Sequence, residues 1–138
     1  DHIFSLGFEY INYLIFTFIC GTGILLSHLY YKYEYYDKFL HFMSPLLFCF
    51  IAFFMINKID TFFSVKLFLT FAVTSAAASI FEIGEYITDK LLGWELQGVY
   101  LRERLRTRIL QSKHDDAMQD ILFGVGGATV FVLIKIIF

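Results

Sequence analysis

Four apolar segments, at about residues 10–31, 38–57, 65–88 and 116–138, constrain this chain more than any other feature. A helix crossing a hydrocarbon core of about 30 Å needs roughly 20 mainly apolar residues. Each segment has that length, and its charges gather near its ends. Irregular backbone cannot sit in lipid with unmet hydrogen bonds, so the segments must be helices. Of the 138 residues, 58% are apolar and only 17% charged, against about 45–50% and about 25% in a soluble domain. The expected fold is an all-α, polytopic membrane protein: one transmembrane domain over residues 1–138, with four helices in a bundle.

The joints between helices are unequal. Helices one and two are linked by Tyr30-Tyr31-Lys32-Tyr33-Glu34-Tyr35-Tyr36, which reads as an interfacial aromatic belt. Helices two and three meet at a brief turn around Asn57-Lys58-Ile59-Asp60. Between helices three and four runs a long interfacial connection, residues 90–115. Take side A as the membrane face reached at the end of helix one. It collects Lys32, Lys38, Lys90, Arg102, Arg104, Arg106, Arg108 and Lys113, whereas the opposite face holds Lys58, Lys66 and Lys135. The positive-inside rule then places side A in the cytoplasm, with a bacterial plasma membrane the expected location.

Eleven basic and thirteen acidic residues give a net charge of −2, which excludes a strongly basic nucleic-acid binder. Cys20 and Cys49 lie in apolar runs and form no disulfide framework or Cys-x-x-Cys metal motif. No nucleophile motif, phosphate loop or dinucleotide fingerprint is present.

The ionisable residues inside the helices follow a pattern. Asp37 and His41 open helix two at a spacing of four, which puts them on one face. Helix three carries Glu82 and Glu85, with Asp89 further along the same stripe, and helix four opens with His114, Asp115, Asp116 and Asp120. Because the helices alternate in direction, all of these fall toward side A, as does His28. Small residues continue the same faces into the membrane: Ser75, Ala78 and Ser79 on helix three, and Gly124, Gly127 and Ala128 on helix four. Small residues let backbones approach closely, so the acids should line an interior cleft.

Intramembrane carboxylates are costly unless paired, protonated or bound to a cation. A divalent metal, Mg²⁺, Mn²⁺ or Zn²⁺, would neutralise several at once, with His41, Glu82, Glu85, Asp116 and Asp120 as candidate ligands. Asp37, His41, Glu82, Glu85, Asp116 and Asp120 are then the candidate catalytic set, supplying ligands and a general base. Arg102, Arg104, Arg106 and Arg108 alternate through the long connection, as an amphipathic interfacial helix or an extended ribbon. Guanidinium forks match phosphate, so they are candidates to hold a lipid headgroup or phosphorylated substrate. They serve equally well as contacts to anionic lipid and as cytoplasmic retention.

Taken in order, Tyr36-Asp37-Lys38-Phe39-Leu40-His41-Phe42, Glu82-Ile83-Gly84-Glu85, Asp116-Ala117-Met118-Gln119-Asp120 and Gly127-Ala128 resemble the YjdF-type integral membrane proteins. They are more distantly similar to the VanZ-like proteins, named for teicoplanin resistance. The resemblance covers roughly residues 30–130 and implies a small helical bundle whose signature positions are Asp37, His41, Glu82, Glu85, Asp116 and Asp120. It departs at Ala117, where the family usually has Thr, and in the arginine-rich connection. It implies no settled activity, so the functional expectation rests on the residues. That expectation is a metal-dependent membrane hydrolase or transferase acting on a lipid-linked or phosphorylated substrate, with membrane lipid as its surroundings. Two alternatives stand beside it. One is an ion- or proton-coupled transporter or channel subunit, which with so few helices would need a homo-oligomer. The other is a non-catalytic membrane scaffold or resistance protein.

Overall fold

The computed structural model describes residues 9–33, 35–94, 96–97, 100–103, 106–109 and 112–138. They form the expected helical bundle, with helices α1 (Tyr10–Leu25), α2 (Tyr36–Ile56), α3 (Phe63–Leu92) and α4 (Lys113–Ile137). A 3₁₀ turn, Ser27–Tyr31, precedes α2, and strands β1 (Tyr100–Glu103) and β2 (Arg106–Ile109) occupy the long connection. Helices α2, α3 and α4 are long and apolar enough to cross a membrane. They pack against one another, and among the described residues α1 packs only on α2 and the 3₁₀ turn.

The first helix is shorter than the expected 10–31 span. Its 16 residues reach about 24 Å at 1.5 Å per residue. Gly21 and Gly23 weaken its last turns, and the tyrosines then redirect the chain. The Tyr36 hydroxyl donates to the Thr22 carbonyl at 3.1 Å, satisfying one of the acceptors that a helix end leaves open. Tyr30 stacks edge-on against Tyr36, with centroids 5.2 Å apart. The aromatic stretch between the first two helices is thus a folded corner as well as an interfacial belt.

Helix α3 overruns its expected end by four residues and stops at Gly93, whose φ of 67° gives the left-handed cap that glycine adopts without strain. Asp89 organises the turn beyond it, accepting from the Leu96 and Gln97 backbone amides at 2.7 and 3.3 Å and from Lys113 Nζ at 2.6 Å. At the start of α4, Ser112 accepts from the Asp115 amide at 3.2 Å and donates to its carboxylate at 2.6 Å. Ser112 is thus the N-cap of α4, and Asp115, in the third helical position, accepts from its hydroxyl.

Of the two forms open to the arginine-rich connection, the structure has the ribbon. The strands pair antiparallel with Arg102 opposite Thr107 and Glu103 opposite Arg106. Arg104 lies outside the described residues.

Close helix contact depends on the small residues of α4. A Cβ at Gly124 would stand 2.9 Å from the Ala78 Cβ, and one at Gly127 would run into the Phe42 carbonyl of α2. Below this contact Cys49, Ala128 and Phe131 form a buried core, flanked by Leu46, Phe53, Phe71 and Val132. Among the described residues the buried charged groups, Lys38, Glu82, Asp116 and Asp120, all lie above it, toward side A, whereas Thr70 and Thr74 are buried at its level and beyond.

Candidate functional site

Lys38, the third residue of α2, is 6% exposed, and its ammonium is buried against α4. It donates to Asp116 and, at 2.7 Å, to Asp120, and it stands 3.4 Å from Asp37 Oδ2. Asp116 and Asp120 are one helical turn apart, so both can face the same ammonium. One turn further along α2, the His41 Nε2 lies 3.4 Å from Asp37 Oδ1, and its Nδ1 lies 3.2 Å from Glu82 Oε1 on α3. The imidazole is thereby held between carboxylates from two helices, with Phe81 edge-on to it at 5.9 Å.

Glu82 is the anomaly in this network. It is 3% exposed, yet neither carboxylate oxygen has a hydrogen-bond partner. The approach from His41 has ion-pair distance but not hydrogen-bond alignment. Buried polar groups are almost always satisfied, and an orphan in a native fold calls for an explanation such as a catalytic role or a missing ligand.

The expected site residues therefore meet as follows. Asp37, His41, Glu82, Asp116 and Asp120 converge in one cluster across α2, α3 and α4. Glu85, one turn beyond Glu82, lies near enough to feel the charges of Glu82, His41, Asp37 and Asp120. His28 is exposed on the 3₁₀ turn, and Asp115 is exposed and engaged in the cap. Asp89 is on the expected stripe, but its acceptors serve the turn after α3. The side chains of Arg102, Arg106 and Arg108, like Arg104, lie outside the described residues.

Two participants were not among the expected site residues. Lys38 already supplies part of the charge compensation for which a metal was invoked. Its position beside Asp37 in the sequence signals it, because an i,i+1 neighbour on a helix faces a different partner, here α4. Tyr30, on the 3₁₀ turn outside the membrane-spanning helices, is the other. Burial, followed by the charges of Asp37 and Glu85, holds its phenol above the ordinary value of 10.0. That side chain borders the acidic cluster from the one element that no helical pattern could place.

Asp37, His41 and Asp120 each offer a ligand atom, and these atoms lie within 4.8 Å of one another. Lys38 engages Oδ1 of Asp120 and Oδ2 of Asp37, so each carboxylate has a second oxygen to give to a cation. Of the expected metal ligands this group retains His41 and Asp120. It adds Asp37, and Asp116 faces the ammonium instead.

Beside the cluster, α3 and α4 diverge into an open cavity of about 610 Å³. Glu82 lies at its wall, with Ile83, Tyr86, Ala117 and Ile121 next to it and Asp89, Lys90, Lys113 and His114 toward the helix ends.

Residues 5–138 match the family described as predicted membrane protein (DUF2238). The chain belongs to this family. The match supports the YjdF-type half of the resemblance and does not extend to the VanZ-like proteins. With three long apolar helices, family membership makes this an integral membrane protein. No curated protein and no solved structure matches the chain.

Proposed function

We propose that this protein is a membrane hydrolase or transferase in which Asp37, His41 and Asp120 hold a divalent metal at one membrane face. The observation that carries the reading is the orphaned Glu82 carboxylate beside a three-residue ligand group. Two carboxylates and an imidazole, with further positions open, are the donor set of catalytic rather than structural zinc sites, and they also suit Mn²⁺ or Mg²⁺. His41 fits the role doubly, because a ligating imidazole commonly turns its second nitrogen toward a carboxylate, and Glu82 is at 3.2 Å.

A metal bound there would polarise the scissile ester and make water acidic. The chain's own residues do the rest. Glu82, whose Oε1 faces His41 and whose Oε2 has no partner, accepts the proton of the attacking water. The ester C–O or P–O bond breaks, and Glu82 returns that proton to the departing alcohol. Lys38 keeps Asp116 and Asp120 compensated throughout, and Glu85 and Tyr30 border the cluster. The substrate class is a lipid-linked or phosphorylated ester. The excess of Lys and Arg on side A supports a cytoplasmic site in a bacterial plasma membrane.

Elemental analysis of protein purified without chelator tests the reading. It expects close to one equivalent of metal, lost in Asp120→Asn, and ester hydrolysis that chelator abolishes and the same metal restores. Absence of metal, with hydrolysis retained, would refute it. The Lys38 ammonium among three carboxylates favours a second reading, a metal-free proton- or ion-coupled carrier. Metal-free protein giving proton flux in vesicles, lost in Glu82→Gln, would establish that alternative.

A further inference from the structure

We infer that the cavity between α3 and α4 is a lateral binding site for an anionic membrane amphiphile, whose region just beneath the headgroup is presented to Glu82. The inference rests on the proposed function and names the substrate class of the same site. Its first support is that Glu82 belongs to both the cluster and the cavity wall. It is a buried carboxylate with no hydrogen-bond partner, and it stands where a bound molecule would meet it.

The second support is the gradient of chemistry along the cavity. On α3 the lining runs from Glu82 and Ile83 through Tyr86 to Asp89 and Lys90. On α4 it runs from Ile121 and Ala117 to His114 and Lys113. Both helices end on the same membrane face, so the apolar lining lies at membrane depth and the charged lining at the interface. From Glu82 to Lys90 the axial rise is about 12 Å, comparable to the interfacial region of a lipid. Asp89 spends its charge on the Leu96 and Gln97 amides and on Lys113. Lys90, seated over the Tyr86 ring at 5.7 Å, then gives the mouth its attraction for a negative headgroup, and His114 lines the same end.

The third support is the direction of opening. The lining comes from α3, α4 and Gln97 of the connection, with no α2 residue, which sets the cavity on the α3–α4 flank, the side a molecule already in the bilayer would reach. Its volume of about 610 Å³ lies within the roughly 300–1,000 Å³ of small-molecule sites. That accommodates a headgroup and the top of its chains, with the remaining hydrocarbon left in the lipid.

The test uses the full chain in phosphatidylcholine nanodiscs containing a trace of phosphatidic acid with a diazirine near the top of one acyl chain. Photolabelling should map to peptides spanning 83–90 and 114–121 and be displaced by excess unlabelled phosphatidic acid. Ile121→Trp, which fills the cavity, should reduce it at least roughly tenfold, and Lys90→Glu at the exposed mouth by roughly threefold to fivefold. Equal labelling by a diazirine phosphatidylcholine, or labelling spread over Phe16 and Phe18 of α1, would overturn the inference. Displacement by inorganic phosphate would assign the cavity to a soluble anion and overturn the lipid assignment. Metal content, measured on the same samples, separates the two readings. Unselective labelling of metal-loaded protein overturns only the cavity assignment, and selective labelling of metal-free protein upholds the cavity and removes the metal.

Discussion

Lys38→Met keeps an apolar stem of similar length and removes the ammonium, leaving Asp116 and Asp120, with side chains 4% and 1% exposed, facing one another without a cation. At the 2.7 Å of the Lys38–Asp120 contact, one pair of unit charges attracts by about 6 kcal/mol at an effective dielectric constant near 20. Removing each ion from water has already cost several kcal/mol, which offsets much of that attraction. The variant retains the carboxylates' desolvation cost and loses the attraction, so the expected destabilisation is about 3–5 kcal/mol, as for other broken buried pairs. Equilibrium unfolding in mixed detergent micelles, followed by far-ultraviolet circular dichroism, measures it. Adding Asp116→Asn and Asp120→Asn to Lys38→Met should recover most of the loss, because a neutral trio leaves no uncompensated charge. A loss below about 1 kcal/mol for Lys38→Met, the range of an exposed pair, would refute the reasoning. So would a triple variant no more stable than the single one.

Gly127→Ala should destabilise by about 1–3 kcal/mol through overpacking on the Phe42 backbone, whereas Gly126→Ala, facing the Phe42 ring at 3.8 Å, should change the same unfolding curve little. Glu82→Gln should abolish hydrolysis by roughly 10²-fold or more without lowering stability; equal loss of fold and activity would make Glu82 structural. Ser112→Ala should cost about 1 kcal/mol by removing the α4 cap, read by hydrogen exchange at the Asp115 amide. Among the described residues outside the spanning helices, Tyr30 is a pH-linked group. Its folded-state value is raised, so its contribution to stability is complete below its ordinary value of 10.0 and is lost as pH rises toward the folded one. In a tyrosinate absorbance titration, Tyr30→Phe should remove a phenol that ionises late, and loss of an ordinarily titrating phenol would contradict that environment.

Three of the four expected spans, those of α2, α3 and α4, and the convergence of their acids were legible because both follow from periodicity and direction alone. Asp37 with His41, and Asp116 with Asp120, declare their shared faces by a spacing of four. Glycines at 124 and 127 declare the α4 contact face for a similar reason, since only a close backbone approach rewards the absence of a side chain. What was not legible depended on partners distant in sequence. Lys38 reads as an interfacial cation until α4 supplies two carboxylates 78 and 82 residues away. Asp89 shares the Glu82 stripe, yet the turn after Gly93 captures its oxygens before the cluster can. The end of α1 was set by Tyr36 reaching back 14 residues to Thr22, a tertiary bond no local pattern announces. The ribbon register likewise arises only from pairing across the hairpin.

The Asp89 clasp has an evolutionary and a practical consequence. By joining the last turn of α3 to the turn at Gln97 and to Lys113 at the start of α4, it closes the base of the long connection independently of whatever is threaded above it. A loop held at its base tolerates changes in length at small entropic cost, about 0.6 kcal/mol per doubling. A change of length in the connection is thus expected to leave the helix register fixed so long as β1 keeps its packing on the 3₁₀ turn. For a membrane protein of 16.2 kDa, the same clasp marks the place to graft a rigid fiducial domain for imaging without disturbing the chemistry below it.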